Sequence, residues 1–262
     1  MLDCLVFDIE TVPDVDLGRQ LLSLDGLGDV EIAQAMFHRQ VEKSGSEFLP
    51  LHQHRVVAIA VALRNRSGFR VWSLGEEGSD EKEIITRFFD GIERFTPTIV
   101  SWNGGGFDLP VLHYRSLLHG VSAPRYWETG DDDHGFRWNN YQSRFHWRHT
   151  DLMDVISGYQ PRGRAPLQDI AVMLGFPGKL GMSGEQVWPC FIDGGIVKIR
   201  HYCETDVLNT YLVYLQFEMI RGRIDGAQLA KEHALLEKEL ADSGHPHLHE
   251  FLSAWKANGT HP

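Results

Sequence analysis

The chain has 262 residues, 42% hydrophobic and 23% charged, the balance of a soluble globular protein with room for one large domain and an appendage. A formal charge of −11 argues against a protein that coats duplex nucleic acid through a basic groove, and less strongly against an enzyme whose acidic site is neutralised by metal ions. No apolar run approaches the roughly 20 residues that span a membrane, and no secretory leader is expected, because the first strand starts almost at Met1 and carries Asp3. Cys4, Cys190 and Cys203 lack metal-ligand spacing and fit reduced thiols of a cytoplasmic protein.

Leu2 to Phe7 reads as a short strand that leads into Asp8-Ile9-Glu10-Thr11. Side chains at i and i+2 share a strand face, so Asp8 and Glu10 would be neighbours. Such a pair is either solvated at a strand end or bridged by a divalent cation, for which hard oxygen ligands suit Mg²⁺ or Mn²⁺. Pro13 ends this strand. Residues 14–54 form an insertion with one short helix around Leu17, Leu21 and Leu22, a second around Ile32, Met36 and Phe37, and a Ser44-Gly45-Ser46 loop. Its position directly after the acidic strand makes it a candidate wall of a cleft.

Arg55 to Leu63 is a β-branched and apolar run expected to be a central strand, with Phe69 to Leu74 as its hairpin partner across Asn65-Arg66-Ser67-Gly68. Ser79 or Asp80 caps a helix whose Ile84, Ile85, Phe88, Phe89 and Ile92 form a core stripe. Thr98 to Trp102 is the next strand, and a helix over Leu109 to His119 follows. Between them lies Asn103-Gly104-Gly105-Gly106-Phe107-Asp108. The triplet permits unusual backbone angles and close approach of a ligand, but neither a Walker loop nor a dinucleotide fingerprint is present. Asp108 either faces the acidic pair or caps the helix.

Residues 121–148 form a second insertion, with Tyr126, Trp127, Phe136, Trp138, Tyr141, Phe145 and Trp147 interleaved with Arg125, Arg137, Arg144 and Arg148. These residues either stack on single-stranded bases or bury their rings over the sheet. His149 to Val155 is a strand or strand-to-helix turn, in which Asp151 lies near the acidic pair or caps a helix. Leu167 to Leu174 makes a short helix, and residues 178–184 a loop whose Lys179 is a candidate phosphate contact.

A long helix over residues 195–221 carries His201-Tyr202-Cys203-Glu204-Thr205-Asp206. Tyr202 and Asp206 are four apart and share a face: either an acid and a phenol aimed at the carboxylates, or a half-buried tyrosine with a surface acid. Residues 223–262 form a helical C-terminal appendage for packing or self-association into a homo-oligomer. His245, His247 and His249 within it are expected to be a solvated tail segment.

The order strand, long connection, strand, strand, helix, strand matches an α/β chain of ribonuclease-H-like type, a mixed β-sheet flanked by helices over residues 1–222. Phe-Asp-Ile-Glu-Thr, Asn-x3-Phe-Asp and Tyr-x3-Asp, in this order over about 200 residues, resemble the three exonuclease motifs of the DEDD superfamily. The tyrosine form is similar to the proofreading domains of family B DNA polymerases, and above all to stand-alone polymerase-B-like 3′–5′ exonucleases. Asp151 to Val155, Gly178-Lys179 and Tyr202 to Thr210 also resemble that group. His201 stands five before Asp206, the spacing of a histidine subclass. On a helix it points about 140° from Asp206, whereas Tyr202 points about 40° away.

The resemblance implies removal of nucleoside 5′-monophosphates from the 3′ end of single-stranded DNA or RNA. Asp8, Glu10, Asp108 and Asp206 would hold two divalent ions, Mg²⁺ or Mn²⁺, about 3.5–4 Å apart. Tyr202 would orient the attacking water, and Thr11, Asn103, Phe107 and Lys179 would contact substrate. The alternatives are a non-catalytic nucleic-acid-binding or scaffold module on the same fold, and an integrase-like endonuclease.

Overall fold

Alternation along the first strand decides the two faces of the molecule. In the computed structural model, which describes residues 3–259, β1 (Cys4–Pro13) runs straight through both acidic positions. It is longer than the run expected before Asp8, and Leu2 lies outside the described residues. Cys4 and Val6 enter one hydrophobic core, whereas Leu5, Phe7 and Ile9 enter another, as the two-residue period of a strand requires. Asp8 and Glu10 therefore share the face of Cys4 and Val6.

β2 (His54–Asn65) pairs antiparallel with β1, and β3 (Gly68–Ser73) pairs antiparallel with β2 across the Arg66-Ser67 turn. β4 (Thr98–Ser101) and β5 (His149–Asp151) are parallel to β1. The order β3-β2-β1-β4-β5 is the mixed sheet of the ribonuclease-H-like fold. The first insertion forms α1 (Val15–Leu22) and α2 (Asp29–Ser44), which bury Val15, Ile32 and Met36 in a small core of their own. α3 (Glu81–Phe95) starts where Asp80 accepts a hydrogen bond from the Glu83 N–H, and α4 (Asp108–His119) follows β4. Both cover the Phe7 face.

α5 (Pro124–Trp127) lies in the second insertion, and α6 (Leu152–Ile156), α7 (Leu167–Met173) and α8 (Val187–Ile192) lead to α9 (Ile196–Ile220). α9 crosses the other sheet face. Ala58, Ala60 and Ala62 of β2 point towards it, and these short side chains leave the helix room to lie close to the strands. Buried on every side from Tyr202 to Leu215, α9 is a central rather than an amphipathic surface helix. α10 (Gly226–Asp242) and α11 (Pro246–Ala257) cover its outer side, with Leu236, Leu240, Phe251 and Trp255 in the same core as Tyr211 and Leu212. Arg64 of β2 makes a two-pronged contact with Glu232 of α10, at 2.5 and 2.8 Å.

The solvated-tail expectation is corrected for His247, whereas His245 and His249 are exposed as expected. His247 is largely buried, 2.7 Å from Glu204 and stacked 3.7 Å from the His201 ring. Glu204 is a buried acceptor that also takes the Ser73 hydroxyl at 2.7 Å, so α11 supplies a partner that the sequence of α9 does not contain. Among the described residues no helix is long and apolar enough to cross a membrane.

Candidate active site

The carboxylates gather where the parallel strands end. Asp8 and Glu10 project from the last half of β1, beside the bulge at Glu10/Thr11. Asp108 is the first residue of α4. Its side chain does not cap that helix; Oδ1 accepts the Ile9 N–H at 3.1 Å, which ties α4 to β1 between the two acids. α9 brings Asp206 and Tyr202 from the opposite side, both buried. Burial of Asp206 excludes the surface-acid alternative. Cys203, on the same stretch of α9, sits 3.5 Å from Asp8 Oδ2 and forms a tight group with Asp8 and Glu10.

The glycine triplet has a packing role. A Cβ at Gly104 would lie 2.2 Å from Ser101 Oγ, and Ser101 in turn bonds His149 at 2.9 Å. Asn103 adopts φ of 65°, and its N–H and that of Gly105 both donate to Asp151, each at 2.9 Å. Asp151 also caps α6. It thus fastens the loop that delivers Asp108, a role intermediate between the two expected for it.

Of the candidate substrate contacts, Phe107 is half-buried, its ring 5.2 Å from His54 and 5.6 Å from the exposed Phe48. Thr11 Oγ1 bonds His54 Nδ1 at 2.8 Å. The loop that closes the first insertion therefore packs beside the end of β1. Lys179 is exposed, with Nζ 5.5 Å from the centre of the Tyr202 ring. Asn209 holds the lysine's loop at Gly178 from both sides, accepting its N–H at 3.1 Å and donating to its carbonyl at 2.9 Å. Neither Asn209 nor Cys203 stands out by residue type; their advance signals are a place near Asp206 or Tyr202 on the same helix and membership of the Tyr202 to Thr210 stretch.

Four carboxylates in one buried place disfavour their own ionisation. Burial and the neighbouring Asp108 and Asp206 push Asp8 well up, and burial with Asp8, Asp206 and Asp108 does the same to Glu10. Burial raises Asp108 to about 7 and Asp206 to about 6. Lys179 is the cation that opposes the rise of Asp8, Glu10 and Asp206. Asp206 Oδ1 is buried and has no hydrogen-bond partner among the described residues. Crowded oxygens, one of them orphaned, fit a hard divalent cation.

Each raised carboxyl binds its proton more tightly in the folded chain than in the unfolded one. Its contribution is fully present below the ordinary carboxylate pKa and is lost as pH rises through the folded value. His113 and His149, lowered by burial to about 4, act in the opposite direction, but only below their unfolded pKa of ~6.5. Above that point the carboxyls dominate. The melting temperature in EDTA is therefore expected to fall between pH 6.5 and 8.5, by roughly 5 °C. A flat or rising profile measured by circular dichroism would refute the raised carboxyls.

A family profile described as predicted 3′–5′ exonuclease related to the exonuclease domain of PolB matches residues 46–255. The chain belongs to this family. In this PolB-related exonuclease the match takes in Asp108, Tyr202 and Asp206 and begins after Asp8 and Glu10, so the place of those two rests on geometry. It also runs through α10 and most of α11. The catalytic subunit of DNA polymerase epsilon from Saccharomyces cerevisiae is 28% identical over 147 residues, and that from Schizosaccharomyces pombe 27% over 145; each comparison takes 53% of this chain and 6% of the relative. The exonuclease chain is thus similar to a small part of those polymerases.

Proposed function

We propose that this exonuclease-family chain removes nucleoside 5′-monophosphates from the 3′ end of single-stranded nucleic acid by divalent-metal-dependent hydrolysis. The observation that carries the reading is the close pairing of Asp8 and Glu10 with Cys203, near enough to Asp108, Asp206 and Tyr202 for their charges to act on one another. The four carboxylates would hold Mg²⁺ or Mn²⁺. A bound ion lowers the pKa of water and stabilises charge on phosphate oxygens.

The remaining residues have separable tasks. The Tyr202 hydroxyl is pushed far up by burial, Asp206, Glu10 and Asp8. It stays protonated, so it orients a water by hydrogen bonding and does not act as a base. The Cys203 thiol is likewise raised by burial and by Asp8, and its neutral S–H donates to Asp8. Lys179, beside the Tyr202 ring, is placed for a substrate phosphate. His201 stacks on the His247 ring at 3.7 Å, away from the carboxylates, and burial and His247 lower its pKa. That contrast favours the tyrosine subclass.

The test is digestion of a 5′-labelled single-stranded oligonucleotide, DNA and RNA in parallel, with Mn²⁺ or EDTA. A metal-dependent ladder shortening from the 3′ end is expected. Tyr202→Phe should slow it about a hundredfold, the scale of one lost positioned hydrogen-bond donor, and His201→Ala less than threefold. A ladder unaffected by EDTA, or one lost with His201→Ala and kept with Tyr202→Phe, would overturn the assignment. No ladder on either polymer would return the chain to a binding module.

A further inference from the structure

The second insertion resolves its aromatic residues into two sets. Tyr126, Phe136 and Tyr141 are buried and form a platform, with Arg148 4.1 Å above the Phe136 ring. Trp138, Phe145 and Trp147 stand out instead, exposed by 83%, 69% and 44%. The loop that holds them is ordered: Asn139 accepts the Trp147 N–H at 3.1 Å, and Asn140 accepts the Ser143 N–H at 2.9 Å. A loop with this much internal bonding and a buried platform beneath it has still left three large rings in water. Three large exposed rings on one bonded loop are surface that a partner can cover.

The rings are accompanied by arginines. The Arg144 guanidinium lies 5.6 Å from the Phe145 ring and 4.5 Å from that of Tyr159, and Arg221 lies 3.7 Å from Trp147. Tyr159 is held at φ of 60°, a conformation costly for a bulky residue, and its hydroxyl donates to the Arg144 carbonyl at 2.9 Å. On a chain of charge −11, this run of guanidinium and aromatic planes has the chemistry of a single-strand platform.

Position gives the platform a direction. Tyr159 follows α6, which starts at Asp151 and hence at the loop that delivers Asp108. Arg221 lies fifteen residues along α9 from Asp206, about 22 Å of helix, a span of several nucleotides. We infer that Trp138, Phe145 and Trp147, with Arg144 and Arg221, form a stacking track along the β5 edge for the part of a single strand 5′ of the terminal nucleotide. The inference rests on the exonuclease reading for which end of the strand lies where, but its binding chemistry stands independently.

The test is fluorescence anisotropy of a 5′-labelled oligothymidine of about 15 nucleotides, in EDTA so that nothing is cleaved, beside a labelled trinucleotide. Phe145→Ala and Trp147→Ala are each expected to weaken the longer strand about tenfold, the scale of one lost base stack, and to leave the trinucleotide within twofold. Phe145→Trp should restore binding, and Arg144→Ala should flatten the salt dependence. These side chains are exposed, so unchanged melting temperatures serve as the folding control. Wild-type affinity of both alanine variants for the longer strand would overturn the track even if the enzyme is active. Loss of binding in the variants of a protein that cleaves nothing would uphold the track and sink the exonuclease reading.

Discussion

Asp8→Ala is expected to reduce 3′–5′ degradation by about a thousandfold, because metal-ion stabilisation of the transition state is worth several kcal/mol and each 1.36 kcal/mol is a factor of ten. The same substitution should alter stability in a way that ordinary core damage would not. In the metal-free protein Asp8 is one of four carboxylates that resist one another, so its removal should leave the melting temperature at pH 8 equal to wild type or higher. Added Mn²⁺ should raise the wild-type melting temperature by roughly 5–10 °C at a hundredfold excess over its dissociation constant, and the variant's hardly at all. Differential scanning fluorimetry with and without EDTA reads both effects. An equal Mn²⁺ shift in the two proteins would remove Asp8 from the metal site.

Arg115→Ala should be the most destabilising single change away from the site. Arg115 is buried on α4, two turns beyond Asp108, and its guanidinium grips Glu81 at 2.8 and 2.5 Å and also Asp14. Glu81 accepts the Val56 N–H at 2.6 Å and contacts His119 at 2.8 Å, and Asp14 caps α1. One guanidinium therefore joins the starts of α1, β2 and α3 to α4. Its loss leaves two buried carboxylates without their cation, at a cost of about 3–5 kcal/mol and a fall in melting temperature on the order of 10 °C. Combining it with Glu81→Gln should recover part of the loss, since less charge is left unpaired. A urea titration in which Arg115→Ala costs under about 1 kcal/mol would refute the network.

The strands and most helices were legible because their signals are local. The alternation around Asp8 and Glu10, the β-branched run of β2 and the Ile84 to Ile92 stripe of α3 each express one element's own period. The spacing of Tyr202 and Asp206 likewise placed them on one helical face before any partner was known. One reading is corrected and two alternatives are decided, each for a reason outside its own segment. His247 looked like a tail residue because Glu204, which holds it, is 43 positions earlier. Asp108 looked equally like a helix cap, and only the register of β1 beside α4 gives its oxygen the Ile9 N–H. The second insertion offered stacking on bases or burial over the sheet as alternatives, and the fold does one with Tyr126, Phe136 and Tyr141 and leaves Trp138, Phe145 and Trp147 open for the other.

The sequence by itself determined which face of its own element each candidate residue occupies, since backbone periodicity depends only on neighbours in the chain. The tertiary structure alone decided that β1, α4 and α9 bring their acids within reach of one another's charge, with Cys203 against Asp8 and Lys179 as the opposing cation. That convergence depends on contacts between residues as far as 195 positions apart, and on the space that three alanines of β2 leave for α9, neither of which any single stretch of the chain encodes.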